Sequence, residues 1–167
     1  MSVKINKFQI FIGCGFVLLF FLSLGLYLFS EDNVRRVLFF PKQNSKKLVS
    51  EVRYLPRMET EEEDIQLLVE EIILGPSREN HEILLPKGVN VESVMLRDGV
   101  LYLDLSEAIV LNEIKLRLGF EGSIKVLSNT VMFNFRDIKK VFIFINGEIP
   151  KGKTFLKGIT FNSSLLQ

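Results

Sequence analysis

Cysteine is all but missing from this chain, tryptophan is missing altogether, and histidine occurs once. With Cys14 alone, neither a disulfide framework nor a thiolate metal site can form. With His81 alone, the usual zinc ligand sets and a Ser-His-Asp arrangement are hard to assemble. Tyr27, Tyr54 and Tyr102 are the only tyrosines, so flat aromatic platforms for a sugar ring are scarce. Neither charge dominates. Of the 21 basic residues only Lys4 and Lys7 precede position 30, which leaves 19 basic against 20 acidic residues in the rest. That balance lacks the basic surplus of a general nucleic-acid binder.

What the chain does have is one long apolar run. Phe8 to Phe29 spans 22 residues without a charge. As a helix it would reach about 33 Å, enough for a bilayer core of about 30 Å. Lys4 and Lys7 before it form the usual cytoplasmic flank, although Arg35, Arg36, Lys42, Lys46 and Lys47 follow it. Ser23-Leu24-Gly25 offers a small-x-small cleavage site, and Phe11-Ile12-Gly13-Cys14 faintly resembles a lipoprotein box. The run exceeds a secretory h-region of about 7 to 15 residues, which favours an uncleaved anchor. The expected organisation is a cytoplasmic N-terminus over 1–7, a transmembrane helix over 8–29 and a linker over 30–36. One domain over 37–150 follows, then a C-terminal extension over 151–167 that packs on it.

The rest is long enough for one domain with a real core, and nine of the fifteen phenylalanines lie in it. Val37-Leu38-Phe39-Phe40, stopped by Pro41, reads as the end of a strand over 34–40 buried on both faces, and 48–55 as a second strand before Pro56. The helix over 61–74 has the clearest signature. Thr60 and Glu63 make a capping box, and four acidic residues face the positive helix end. Ile65, Leu68, Val69 and Ile72 form one apolar face, and Gly75-Pro76 stops the helix. Val91–Leu96 and Val100–Leu105 about Asp98-Gly99 are a hairpin, with Ser106 placed to cap a short helix over 107–111. Residues 112–119 fit both strand and helix spacing. A second long helix is expected over 121–135, a central strand over 141–145 closed by Asn146-Gly147, and an edge strand in the tail. The fold class is α+β: a small sheet of about four to six strands, mostly antiparallel or mixed, with two helices on one face.

Several of these punctuation points, in order, resemble the GerMN domain of the GerM sporulation and spore-germination family. They are Leu74-Gly75-Pro76, Leu85-Pro86-Lys87-Gly88, Asp98-Gly99-Val100, Leu103-Asp104-Leu105-Ser106, Ser128-Asn129-Thr130-Val131 and the run from Val141 to Gly147. The likeness covers about residues 34–149. Asn146 stands where members usually carry Asp, and the domain occurs once where the family's namesake has two. The resemblance implies a fold similar to ring-building motifs and a domain held to the membrane on its outer side. It further implies structural roles for Gly75, Pro76, Pro86, Gly88, Asp98, Gly99, Asp104, Ser106, Asn129, Thr130 and Gly147. Gly75, Gly88 and Gly99 would serve turns, Asp104 and Ser106 would close a strand-to-helix corner, and Asn129-Thr130 would lie where the hairpin packs.

The expected function is that of a membrane-tethered extracytoplasmic module acting by self-assembly or by docking onto an envelope complex. It carries no catalytic residue, cofactor or metal ligand, and has neither a nucleic-acid nor a small-molecule substrate. The alternative is a module that binds cell-wall glycan or another ligand. Carboxylates such as Glu70-Glu71 and Glu61 to Asp64 lie on the polar side of one helix, which accounts for them without chemistry. Gly119-Phe120-Glu121-Gly122 spells a KH-type GXXG, but its Glu would repel phosphate.

Overall fold

The computed structural model describes residues 7–28, 32–45, 47–111 and 116–166. The chain divides into two units, Met1–Asp32 and Asn33–Gln167. In the first, α1 (Lys7–Leu28) is a helix where the apolar run predicts one. Side chains within it are described over 11–25; all but Ser23 are apolar or glycine, and almost all are exposed. Among the described residues no helix is long and apolar enough to cross a membrane. The expected span over 8–29 is therefore met by a helix at that place and not by a demonstrated crossing. Phe29 lies outside the described residues.

The second unit contains β1 (Asn33–Pro41), β2 (Leu48–Pro56), α2 (Glu61–Leu74), β3 (Val91–Arg97), β4 (Val100–Leu105) and α3 (Ala108–Leu111). It continues with α4 (Gly119–Asn134), β5 (Lys140–Ile145), α5 (Lys153–Lys157) and β6 (Ile159–Thr160). The α+β class holds, but the expected single sheet is two. β1 and β2 pair antiparallel as a hairpin on their own, and β3-β4-β5-β6 form a four-stranded sheet. In that sheet β4 and β5 run parallel, joined by the crossover through α3 and α4, while β3 and β6 are antiparallel edges. Strand β1 begins at Asn33, so four residues assigned to the linker are strand. Only its second half, from Leu38 to Pro41, is buried on both faces. The part of the ambiguous stretch at 112–115 lies outside the described residues.

Asn134, at the end of α4, accounts for the separation of the hairpin from the larger sheet. Its amide oxygen accepts from the Val37 N–H at 2.8 Å and its amide nitrogen donates to the Val37 carbonyl at 2.7 Å. One side chain thus fills the place on the outer rim of β1 that a neighbouring strand would take. The same nitrogen donates to the Thr130 carbonyl at 2.8 Å, which fixes the rotamer. Arg36, one residue earlier on β1, lies 4.1 Å from the Phe135 ring centroid and pairs with Asp64 of α2 at 3.1 Å. Around these anchors one core gathers Leu38 and Phe40 of β1, Ile65, Leu68 and Ile72 of α2, Leu101, Leu103 and Leu105 of β4, and Ile124, Leu127 and Val131 of α4.

Helix α4 departs from a simple amphipathic pattern: Ser123, Ser128, Asn129 and Thr130 are buried along with its apolar face. The tail covers that second side, with Phe155 and Ile159 buried. Replacing Asn134 with Ala strands both Val37 groups, and we expect a loss of about 2 kcal/mol in urea unfolding. Asn134→Asp keeps the acceptor but sets a carboxylate oxygen against the Val37 and Thr130 carbonyls, and should cost at least as much as Ala.

Candidate interaction surface

The family-motif residues divide among the two ends of the larger sheet, the carboxyl end of α2 and the face of α4. At one sheet end, Asp98 and Gly99 take positive φ values of 51° and 74°, the type I′ geometry of a two-residue hairpin. A side chain at Gly99 would meet the Asp137 carbonyl oxygen at 2.9 Å, and the Gly99 carbonyl accepts from Lys139 N–H at 2.7 Å. The hairpin tip is thereby fastened to the approach to β5. At the other end, Ser106 and Asn90 exchange bonds: Asn90 N–H donates to the Ser106 hydroxyl at 2.9 Å, and Ser106 N–H to the Asn90 carbonyl at 3.0 Å. The Asp104 carboxylate accepts from Gly147 N–H at 3.1 Å, tying β4 to the turn after β5. Pro86 is buried and Gly88 sits in the exposed turn after it.

Asn129 and Thr130 do not meet the hairpin, as the sequence had suggested. Asn129 accepts from the N–H of Asn162 in the tail at 2.6 Å and donates to the Lys125 carbonyl, and Thr130 donates back to the Val126 carbonyl at 2.8 Å. Side chains this polar bury well on a helix when the previous turn supplies acceptors.

Gly75 ends α2 with φ 98°, followed by half-buried Pro76. The cation expected at this negative helix end comes from another element. Arg53 of β2 donates to the Glu71 carbonyl at 3.0 Å and to the Gly75 carbonyl, and its guanidinium pairs with the Glu71 carboxylate. Beside it lies the one buried acid of the domain's described residues, Glu51, at 6% exposure. Glu51 accepts from Ser77 N–H at 3.0 Å and Arg78 N–H at 3.3 Å, and meets His81 Nδ1 at 2.6 Å. This cluster gave no sequence signal beyond a lone histidine. It fastens the loop after α2 to the β1–β2 hairpin and holds no exposed nucleophile, so its arrangement suits a clasp. Among the described residues no group of His, Cys, Asp and Glu could hold a metal ion.

Burial pushes the Glu51 carboxyl up, but the Ser77 N–H, His81 and Arg78 N–H together bring it below its ordinary 4.5. A carboxyl lowered in the folded state adds stability that is complete above that ordinary value and is lost as pH falls through the folded one. We therefore expect an unfolding free energy that drops on acidification below about pH 4.5. In Glu51→Gln, about 3 kcal/mol is lost already at pH 7, and the acid limb should be shallower by Glu51's share.

One face of the larger sheet lies away from the core. Leu101, Leu103 and Leu105 of β4 face the core, so Tyr102 and Asp104 face outward. The register places Met95, Tyr102 and Phe142 side by side across three strands. Tyr102 and Phe142 are parallel within 9° with centroids 5.6 Å apart, and Phe144 lies 6.4 Å from Tyr102. Lys140 Nζ closes the row 5.7 Å from the Phe142 centroid. The sequence placed 141–145 centrally with both faces apolar, and the strand is central. Its second face, though, is half-exposed, and Gly158 lies so close to it that a Cβ there would meet the Phe142 ring at 3.0 Å.

The family model described as "Germane: Sporulation and spore germination" matches residues 26–150. Among solved structures, the first GerMN domain of the sporulation protein GerM from Bacillus subtilis is similar to this chain. The likeness has a TM-score of 0.57 at 20% identity over 77% of this chain and 94% of that one. The tandem GerMN domains of the same protein match with a TM-score of 0.57 at 19% identity over 78% of this chain, which spans only 45% of that structure. At such identities these two establish the fold. No curated protein matches. With three quarters of its length matched by the family model, the chain belongs to the Germane family of GerMN-domain proteins.

Proposed function

We propose that this protein is a GerMN module anchored in the cytoplasmic membrane by residues 8–29 and displayed on the outer side. There it acts by self-assembly or by docking onto an envelope complex of the sporulation or germination type, without catalysis. The observation that carries the reading is the open sheet face. A row of Met95, Tyr102, Phe142 and Phe144 lies on one face of the larger sheet, Met95 exposed and the three rings half-buried, and such faces suit contact with another macromolecule. The charge-free run from Phe8 to Phe29 supports the anchor, since a helix apolar all round needs a lipid or protein environment. Motif residues occupied in turns and corners leave no constellation for chemistry.

Two measurements test this. Protease added to spheroplasts should remove the domain without lysis; protection until lysis would overturn the topology. In intact cells, cross-linking should recover either a second copy or an envelope protein. Tyr102→Ala with Phe142→Ala should lower that recovery about tenfold with the fold intact by circular dichroism. Unchanged recovery would remove the sheet face from the interaction.

One observation favours glycan binding as the second reading. Tyr102 and Phe142 stack on each other and leave half-exposed aromatic edges that a sugar ring can meet. Retention of the protein on purified wall material, lost in the same double variant, would support it over self-assembly.

A further inference from the structure

The edge of the larger sheet at β3 has a geometry that fits itself. The type I′ turn at Asp98-Gly99 makes Arg97 and Val100 the closing hydrogen-bonded pair of the hairpin. Alternation then makes Met95–Tyr102 bonded and turns the N–H and C=O groups of Val94 and Leu96 away from β4. Among the described residues nothing else bonds to that rim. The strand's irregularity falls between Val91 and Ser93, outside this window, so 93–97 remains regular.

We infer that β3 pairs antiparallel with β3 of a second copy of this chain, about a two-fold axis through Met95, joining the two four-stranded sheets into one of eight strands. This rests on the self-assembly form of the proposed function and names its surface. Three features select a second copy over an unrelated extended peptide. Val94 and Leu96 flank Met95 symmetrically, so the two-fold sets Val94 opposite Leu96 of the second copy, and the reverse, and satisfies both outward pairs at once. Met95, 52% exposed at the edge of the aromatic row, meets its own equivalent, and the apolar row continues across the junction. Arg97 comes opposite Ser93 of the second copy, whose neighbour on β4 is Asp104, so base and acid lie two strand spacings, about 10 Å, apart on each side of the axis. On the core side, half-buried Val94 and Leu96 gain cover from each other.

The register is testable by disulfide trapping in the full-length protein in detergent micelles, with Cys14→Ser removing the native thiol. Directly opposed, non-hydrogen-bonded residues sit about 4.5 Å apart at Cα, within disulfide reach. Met95→Cys should therefore give a covalent dimer under mild oxidation. Ser93→Cys should not, because the two copies of residue 93 would lie about 13 Å apart along the strands. Val94→Pro, which removes only an outward N–H at a sheet edge, should abolish trapping of Met95→Cys while leaving the circular dichroism spectrum unchanged. Ser93→Lys, opposing Arg97 at two equivalent places, should weaken association about tenfold in sedimentation, and Ser93→Glu should strengthen it. A chain that self-associates without trapping at Met95, or that traps equally at Ser93, would overturn this interface and leave self-assembly standing. A chain that stays monomeric would overturn both.

Discussion

The carboxylate of Glu51 is the buried centre of the contacts that tie the β1–β2 hairpin to the end of α2 and the loop after it, beside backbone bonds from Gln43 to Asn80 and from Glu82 to Pro41. It sits on β2, draws two N–H groups from the loop after α2, meets His81 at the far end of that loop, and lies beside Arg53. Arg53 in turn supplies the positive charge that the last turn of α2 lacks. An acid this well buried is tolerated only because each oxygen has donors. The α2 axis, the hairpin and the loop before β3 are thus joined by this polar knot together with the backbone bonds of Pro41 and Gln43 to Glu82 and Asn80 across the Lys42–His81 bridge, and the apolar core packs around that frame.

From the sequence, the local elements were readable and the long-range ones were not. Thr60 and Glu63 form the reciprocal cap that their spacing implies. Asp98-Gly99 and Asn146-Gly147 take the positive φ values that such pairs exist to supply. Each of these depends on residues within four positions, where spacing carries the information. Asn134 bonding Val37, Arg53 closing α2 and Glu51 meeting His81 span many residues and follow no period. Any Asn, Arg or Glu in a polar segment looks the same before folding. The single-sheet expectation failed for that reason: one amide at the end of a helix takes the place of a strand. The open face was hidden differently, since Phe142 and Phe144 in an apolar run read as buried although only Val141 and Ile143 are.

In three dimensions several motif residues take up positions at the borders of the larger sheet. Asp104, Ser106 and Gly147 gather at one sheet end, Asp98 and Gly99 at the other, and their polar atoms are largely spent on backbone partners. They preserve the outline of the sheet. In this chain the face is aromatic, and among the described residues nothing occupies the rim at β3.

The opposite border of that sheet is β6, which has only two residues. A sheet with one usable border cannot propagate: once two copies have met there, neither offers a second side for a third. Growth by this route stops at a pair instead of running on into a fibre, and any larger closed assembly must be built through other parts of the surface.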